Sequence, residues 1–229
     1  MGPNLYLILL VISLISGLVY FFQKNTPPDH SQKVILGILC IVMAMEFSGS
    51  FFARKGINNT LLYNLGWIYL ESFMLIGYYF TLKKDRKFQK RIFQIAMMLL
   101  IWGMVNSMFF QQIDKVFQFY SFLPFGMLII YLSMNLLLDI INLRFYPKEN
   151  LLTLPHFWIN CFIIFFYIEA LLVFGTYQFF PEMVIANVKV IFGFNRLMAG
   201  IMYLTFGLAY FIPMIYQKTI HADQDLDAL

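Results

Sequence analysis

Charge is scarce in this chain: Asp, Glu, Lys and Arg make up only 12% of its 229 residues. A soluble domain carries about 25% charged residues, and the 61% hydrophobic share here excludes a water-soluble globule. Cysteine is nearly missing as well. Cys40 and Cys161 both fall inside apolar runs, where small buried hydrophobes are expected rather than a disulfide or a metal pair. The three histidines, His30, His156 and His221, sit at loops or span ends, which argues against a histidine-based intramembrane metal hydrolase. No apolar run has an interior lysine, so a retinal Schiff base has no attachment point. A phosphate-cradling glycine loop, a Ser-His-acid order and a Cys-x-x-Cys are all missing. Neither a metal nor a cofactor is expected, and an enzyme would have to run on carboxylates alone.

What the chain does have is apolar length, with a mean hydropathy of +0.73. Seven stretches, at 4–22, 34–53, 61–82, 92–110, 119–139, 156–176 and 189–216, are each long enough to cross a hydrocarbon core of roughly 30 Å as a helix. They occupy nearly the whole chain. The expectation is an all-α integral membrane bundle of seven helices forming one domain over 1–229. The first stretch lacks a basic n-region and a small-x-small cleavage site, so it reads as a permanent helix rather than a signal peptide. The apolar stretch from Tyr177 to Val188 is expected to lie in the membrane interface. No convincing internal repeat is present, which weakens a transporter reading slightly.

The net charge of +4 would suggest nucleic acid in a soluble protein. Here the basic residues sit between spans, so no nucleic-acid partner is expected and membrane orientation explains them. Eleven Lys and Arg lie on one side, in the first, third and fifth loops and the tail, and four on the other. The positive-inside rule then puts the N-terminus outside and the C-terminus in the cytoplasm. Most of this asymmetry comes from one basic loop, Lys83 through Arg91. Anionic lipid head groups or a cytoplasmic partner are further uses for it. The acidic end from Asp223 to Leu229 reads as a disordered tail.

Ionisable residues inside a span are costly, at about 2.5–3.5 kcal/mol each on insertion scales. Glu46, Glu71, Glu169 and Arg196 are of this kind, and with the orientation above they share a band roughly 10–15 Å below the outer surface. Asn106 and Asn195 lie in the same half. The simplest packing brings them together in a ligand or ion pocket that opens outward, with Asn58, Asn59, Tyr63 and Asn64 at its mouth. Three carboxyls against one guanidinium leave a formal excess of negative charge. One glutamate is expected to pair with Arg196, leaving the others to be protonated, hydrated or neutralised by a cation. The alternative is a purely structural cluster that fixes helix packing. In the second outer loop, Gly49 suits close helix approach, Gly56 a tight turn, and Asn58, Asn59 or Thr60 a helix cap.

The run Glu46-x-x-Gly49, Lys55-Gly-x-Asn-Asn, Leu62-Tyr-Asn64 and Glu71 resembles small seven-helix membrane proteins common in Bacteroidota, with a vaguer likeness in the last span. The resemblance implies a bacterial inner (plasma) membrane crossed several times, and brings no activity or ligand with it. Two functional classes fit the sequence. One is a sensor or receptor-like module that signals through a separate membrane or cytoplasmic partner. The other is a proton- or cation-dependent transporter or channel using the intramembrane carboxylates, although the inner half shows few polar groups beyond Asn135 and Asp139. A third is a homo-oligomeric pore-forming or scaffolding subunit.

Overall fold

The structure, a computed structural model, describes residues 3–23, 29–142 and 150–216. The acidic tail from Asp223 and the turn residues Pro27, Pro28 and Pro147 lie outside the described residues. Among the described residues there are helices and no strands. Helices α1 (Pro3–Gln23) and α2 (His30–Arg54) precede a helical run in three parts: α3 (Thr60–Tyr63), a π-helical segment (Asn64–Glu71) and α4 (Ser72–Leu82). Then come α5 (Arg86–Phe109), α6 (Phe119–Ile141), α7 (Pro155–Phe179), α8 (Pro181–Ala186) and α9 (Val188–Leu208), which passes into a 3-10 turn (Ala209–Phe211).

Among the described residues, six helices are long and apolar enough to cross a membrane. The chain is therefore all-helical and multi-pass. The expected third span, 61–82, is not among the six, because the π segment divides it into pieces that are each too short. The expected basic loop is also largely helix. The carboxyl of Asp85 accepts a hydrogen bond from the Lys87 N–H at 2.9 Å, so Arg86, Lys87, Lys90 and Arg91 form the first two turns of α5. Lysine, arginine and glutamine are good helix formers, and a helix need not end where the apolar run ends. The apolar stretch after α7 contains the short helix α8, started by Pro181 at its first position. Cys40 is exposed on the outside of α2 rather than buried, Cys161 is half-buried, and both are free.

The ends are set by short-range chemistry. Asp29 caps α2, accepting from the His30 N–H at 2.7 Å and the Ser31 hydroxyl at 2.8 Å. Partial burial pushes its carboxyl up, but those two bonds outweigh it and hold the group below its usual range. At the other end of α2, Gly56 takes φ +69°. The N–H of Ile57 bonds the carbonyl of Phe52 and that of Gly56 the carbonyl of Ala53, a Schellman close that favours glycine. Within α6, Pro124 has no N–H to give the carbonyl of Tyr120 four residues back. The indole N–H of Trp102 on α5 bonds that carbonyl instead, at 2.8 Å, as a low-dielectric setting requires.

Helix α1 packs between α2 and α9, α9 against α7, α7 against α6, and α6 and α2 against α4, which closes a ring; α5 lies outside it against α6. Polarity is inverted relative to a soluble bundle. Ser13, Ser72, Ser133 and Asn160 are buried, whereas Phe22, Met98, Met108, Phe109 and Leu172 are exposed on the outer faces, where lipid is the matching solvent. With lipid tails as apolar as the side chains, such helices are held by close packing and internal hydrogen bonds.

Candidate functional site

The polar residues gather at the end of the ring that carries the α2–α3 and α5–α6 connections. Those two loops are tied together where Asn58 Nδ2 donates to the Asp114 carbonyl at 2.8 Å. Beneath them lies a cavity of about 270 Å³ whose walls include Glu46, Glu71, Asn195 and Arg196. Tyr63 lines it as well. The remaining wall is mostly aromatic: Trp67, Phe117, Phe166, Phe174 and Phe192, with Tyr6 and Tyr203.

Each carboxyl has a local reason for its place. Glu46 and Gly49 share one face of α2, three residues apart. A Cβ on Gly49 would lie 2.5 Å from the Tyr63 hydroxyl, so glycine there leaves room for that hydroxyl to donate to Glu46 Oε2 at 3.1 Å. The hydroxyl of Tyr6 donates to Glu46 Oε1 at 3.2 Å. The π segment carries Trp67 and Glu71 to the cavity together. A Cβ on Gly66 would come within 2.6 Å of Met45 Cε, so glycine lets the segment press onto α2. Glu71 is 1% exposed, and the Tyr203 hydroxyl stands 2.9 Å from both of its oxygens.

The expected Glu–Arg pairing does not form. Among the described residues the one ion pair within 4 Å is Lys83–Asp139, at 2.6 Å. Arg196 is exposed at the cavity wall, near enough to Glu46 for their charges to interact and too far for a direct pair. Tyrosine hydroxyls take the role given to the guanidinium, because a hydroxyl enters a low-dielectric core at far less cost than a charge. Glu169 stands behind the wall rather than in it, accepting at Oε2 from Asn195 Nδ2 at 2.7 Å.

Asn106, expected in the same pocket, belongs to a separate buried knot. Its Nδ2 donates to Gln118 Oε1 at 3.0 Å and to Ser121 Oγ at 2.9 Å, and the Tyr69 hydroxyl lies within hydrogen-bond distance of the same two atoms. Asn64, expected at the mouth, joins this knot from the π segment. It donates to the carbonyls of Ile113 and Val116 at 2.7 and 2.8 Å and accepts from the Gln118 N–H. The knot holds the α5–α6 loop against the bundle and so sets Phe117 in the cavity wall. Asn58 also accepts from the Thr60 N–H at 2.9 Å, starting α3, and Asn59 donates to the Gly49 carbonyl at 3.1 Å. Asn58 and Asn59 therefore fix the α2–α3 loop.

Tyr6, Trp67, Phe174 and Tyr203 line the cavity without having been singled out from the sequence. Tyr203 carried a usable signal, since a tyrosine hydroxyl fifteen residues into a span must find a buried partner. The other end of the bundle is also more polar than expected. Tyr79 bonds Ser133 and, at 3.1 Å, Asn160 Oδ1; Tyr78 bonds His156 Nδ1 at 2.9 Å. Lys83 pairs with Asp139 and bonds Asn135.

Compared with known proteins, the chain matches no family model, no curated protein and no solved structure. Among the described residues no three of His, Cys, Asp and Glu gather as a metal site would need.

Proposed function

We propose that the chain is a seven-span protein of a bacterial inner membrane, with residues 61–82 as the third span, the N-terminus outside and the C-terminus in the cytoplasm. Its cavity then opens outward and holds a small ligand, and the protein acts as a receptor-like module that passes binding to a separate partner. The resemblance to seven-helix proteins of Bacteroidota around residues 46–71 belongs to the same proposal. One observation carries it: groups from α1, α2, the π segment, α7 and α9 converge on a single cavity of about 270 Å³. That is near the lower end of the roughly 300–1,000 Å³ of small-molecule sites, and a mostly apolar wall with a few placed polar groups is their usual make-up. Because the wall is shared by several helices, a ligand there can bias how they pack, which is what signalling through a partner needs.

The second reading, transport of protons or cations, is favoured by the polar groups of the opposite end: Tyr79 with Ser133 and Asn160, and Tyr78 with His156. Flux into proteoliposomes separates the two. The receptor reading predicts no proton or cation flux above that of protein-free vesicles, for the parent and for Glu46→Gln, Glu71→Gln and Glu169→Gln alike. Flux from the parent that Glu71→Gln abolishes would replace it with carboxylate-based transport.

A further inference from the structure

We propose that the cavity takes a small organic cation, an amine or quaternary ammonium. Its charged head would sit between the Glu46 and Glu71 carboxylates and the ring faces of Trp67 and the neighbouring phenylalanines. The proposal rests on the ligand-pocket reading above and names the class of ligand.

The first support is the sign of the wall. Its carboxylic and basic groups are two carboxyls and one guanidinium, and that guanidinium is the exposed one. The second is Glu71. A single hydroxyl hydrogen on Tyr203 cannot serve both oxygens at once, although it lies 2.9 Å from each. One oxygen of a carboxyl that is 1% exposed is thus left on the cavity wall with no donor among the described residues. A buried carboxylate without counter-charge is costly, and a cation in the cavity supplies both the charge and, for a protonated amine, the missing donor.

The third support is the aromatic wall. Trp67 lies 5.7 Å from Phe117, 6.1 Å from Phe166 and 5.2 Å from Phe174, and Phe117 stacks on Phe174 at 4.2 Å. Ring faces carry the negative side of the aromatic quadrupole, so they attract a cation within about 6 Å, and aromatic cages are a recurrent means of holding quaternary ammonium groups. Carboxylates and ring faces select the same sign. A neutral guest gains only the apolar contact, and an anion meets two carboxyls with only Arg196 in its favour. The volume suits a small molecule rather than a peptide or an acyl chain.

The test uses the purified full-length protein and three probes of one shape: choline, its neutral carbon analogue 3,3-dimethylbutan-1-ol, and the anion 3,3-dimethylbutanoate. Binding is read by titration calorimetry. Choline is expected to bind at least tenfold more tightly than the alcohol, and the anion more weakly than either. Glu71→Gln keeps the shape and is expected to bring the choline-to-alcohol affinity ratio close to one; Glu46→Gln serves the same purpose if the first variant does not fold. Equal binding of choline and alcohol, or a preference for the anion, would overturn the cation class and leave the ligand pocket standing. Binding of none of the three would overturn both. A Glu71 of purely structural importance would shift melting temperature and leave the choline-to-alcohol ratio at its parent value.

Discussion

Substitution of Gly207 by alanine is expected to be among the most damaging single changes in the protein. Gly207 lies where α9 crosses α1. A Cβ there would fall 2.7 Å from the Cα of Ser13 and collide with the Ser13 carbonyl oxygen. Both obstacles are backbone, so no rotamer change relieves them and the helices must separate. Separation also breaks the hydrogen bond from the Ser13 hydroxyl to the Tyr203 carbonyl. Small residues at a membrane-helix crossing allow close backbone approach, and overfilling a packed contact costs about 1–3 kcal/mol, occasionally more. We expect a loss at the upper end of that range, read as a lower melting temperature in detergent. Gly77→Ala is the control. A Cβ at Gly77 meets nothing within 4 Å, and alanine in a helix interior gains roughly 0.5–1 kcal/mol over glycine. The two Gly→Ala changes should therefore move stability in opposite directions, and a Gly207→Ala protein as stable as the parent would contradict the α1–α9 packing.

Trp67→Ala is expected to have an effect of similar size through the opposite fault, a void. Trp67 sits among four rings, the nearest being Phe122 at 4.9 Å. Buried Phe or Trp to Ala typically costs about 3–5 kcal/mol, and because Trp67 is only half-buried beside an existing cavity, the lower part of that range applies. The same change widens the cavity and removes its largest ring face. Stability in detergent and probe affinity should fall together in Trp67→Ala, and both should largely return in Trp67→Phe. A stable Trp67→Ala protein would show that the aromatic cluster does not hold the α7 and π-segment walls together.

The sequence made much of the fold readable, because apolar length translates directly into helices of membrane-crossing length. Six of the expected spans correspond to long apolar helices of the structure within a few residues at most ends. Polar side chains hid the start of α5, since a run of basic residues reads as loop by hydropathy; here Arg86, Lys87 and Lys90 are good helix formers behind the Asp85 cap. The π segment was hidden for another reason. No local pattern in Asn64–Glu71 announces it, and the close approach of Gly66 to Met45 within it is a tertiary contact.

The candidate site was legible by depth and not by partner. Counting residues from the span ends put Glu46, Glu71, Glu169 and Arg196 in one band with Asn106 and Asn195 in the same half, and of these six Glu46, Glu71, Asn195 and Arg196 line one cavity. Depth alone does not say which way a side chain points around a helix. That is why Asn106, in the same half, sits in the knot with Gln118 and Ser121, and why Glu169 stands behind Asn195. Nor does charge counting choose partners. It favoured Arg196 for a glutamate, whereas Tyr6, Tyr63 and Tyr203 supply the donors.

Whether the cavity opens to the outside, on which the proposed function turns, is tested most directly at Ala199, a small residue of its wall. An Ala199→Cys protein with Cys40 and Cys161 replaced by alanine carries one thiol, which can be challenged in intact cells with a charged, membrane-impermeant thiol reagent. Modification from outside, slowed by choline, is the expected result. Modification only after the cytoplasmic face is exposed, or only after the protein is unfolded, would contradict an outward-open cavity.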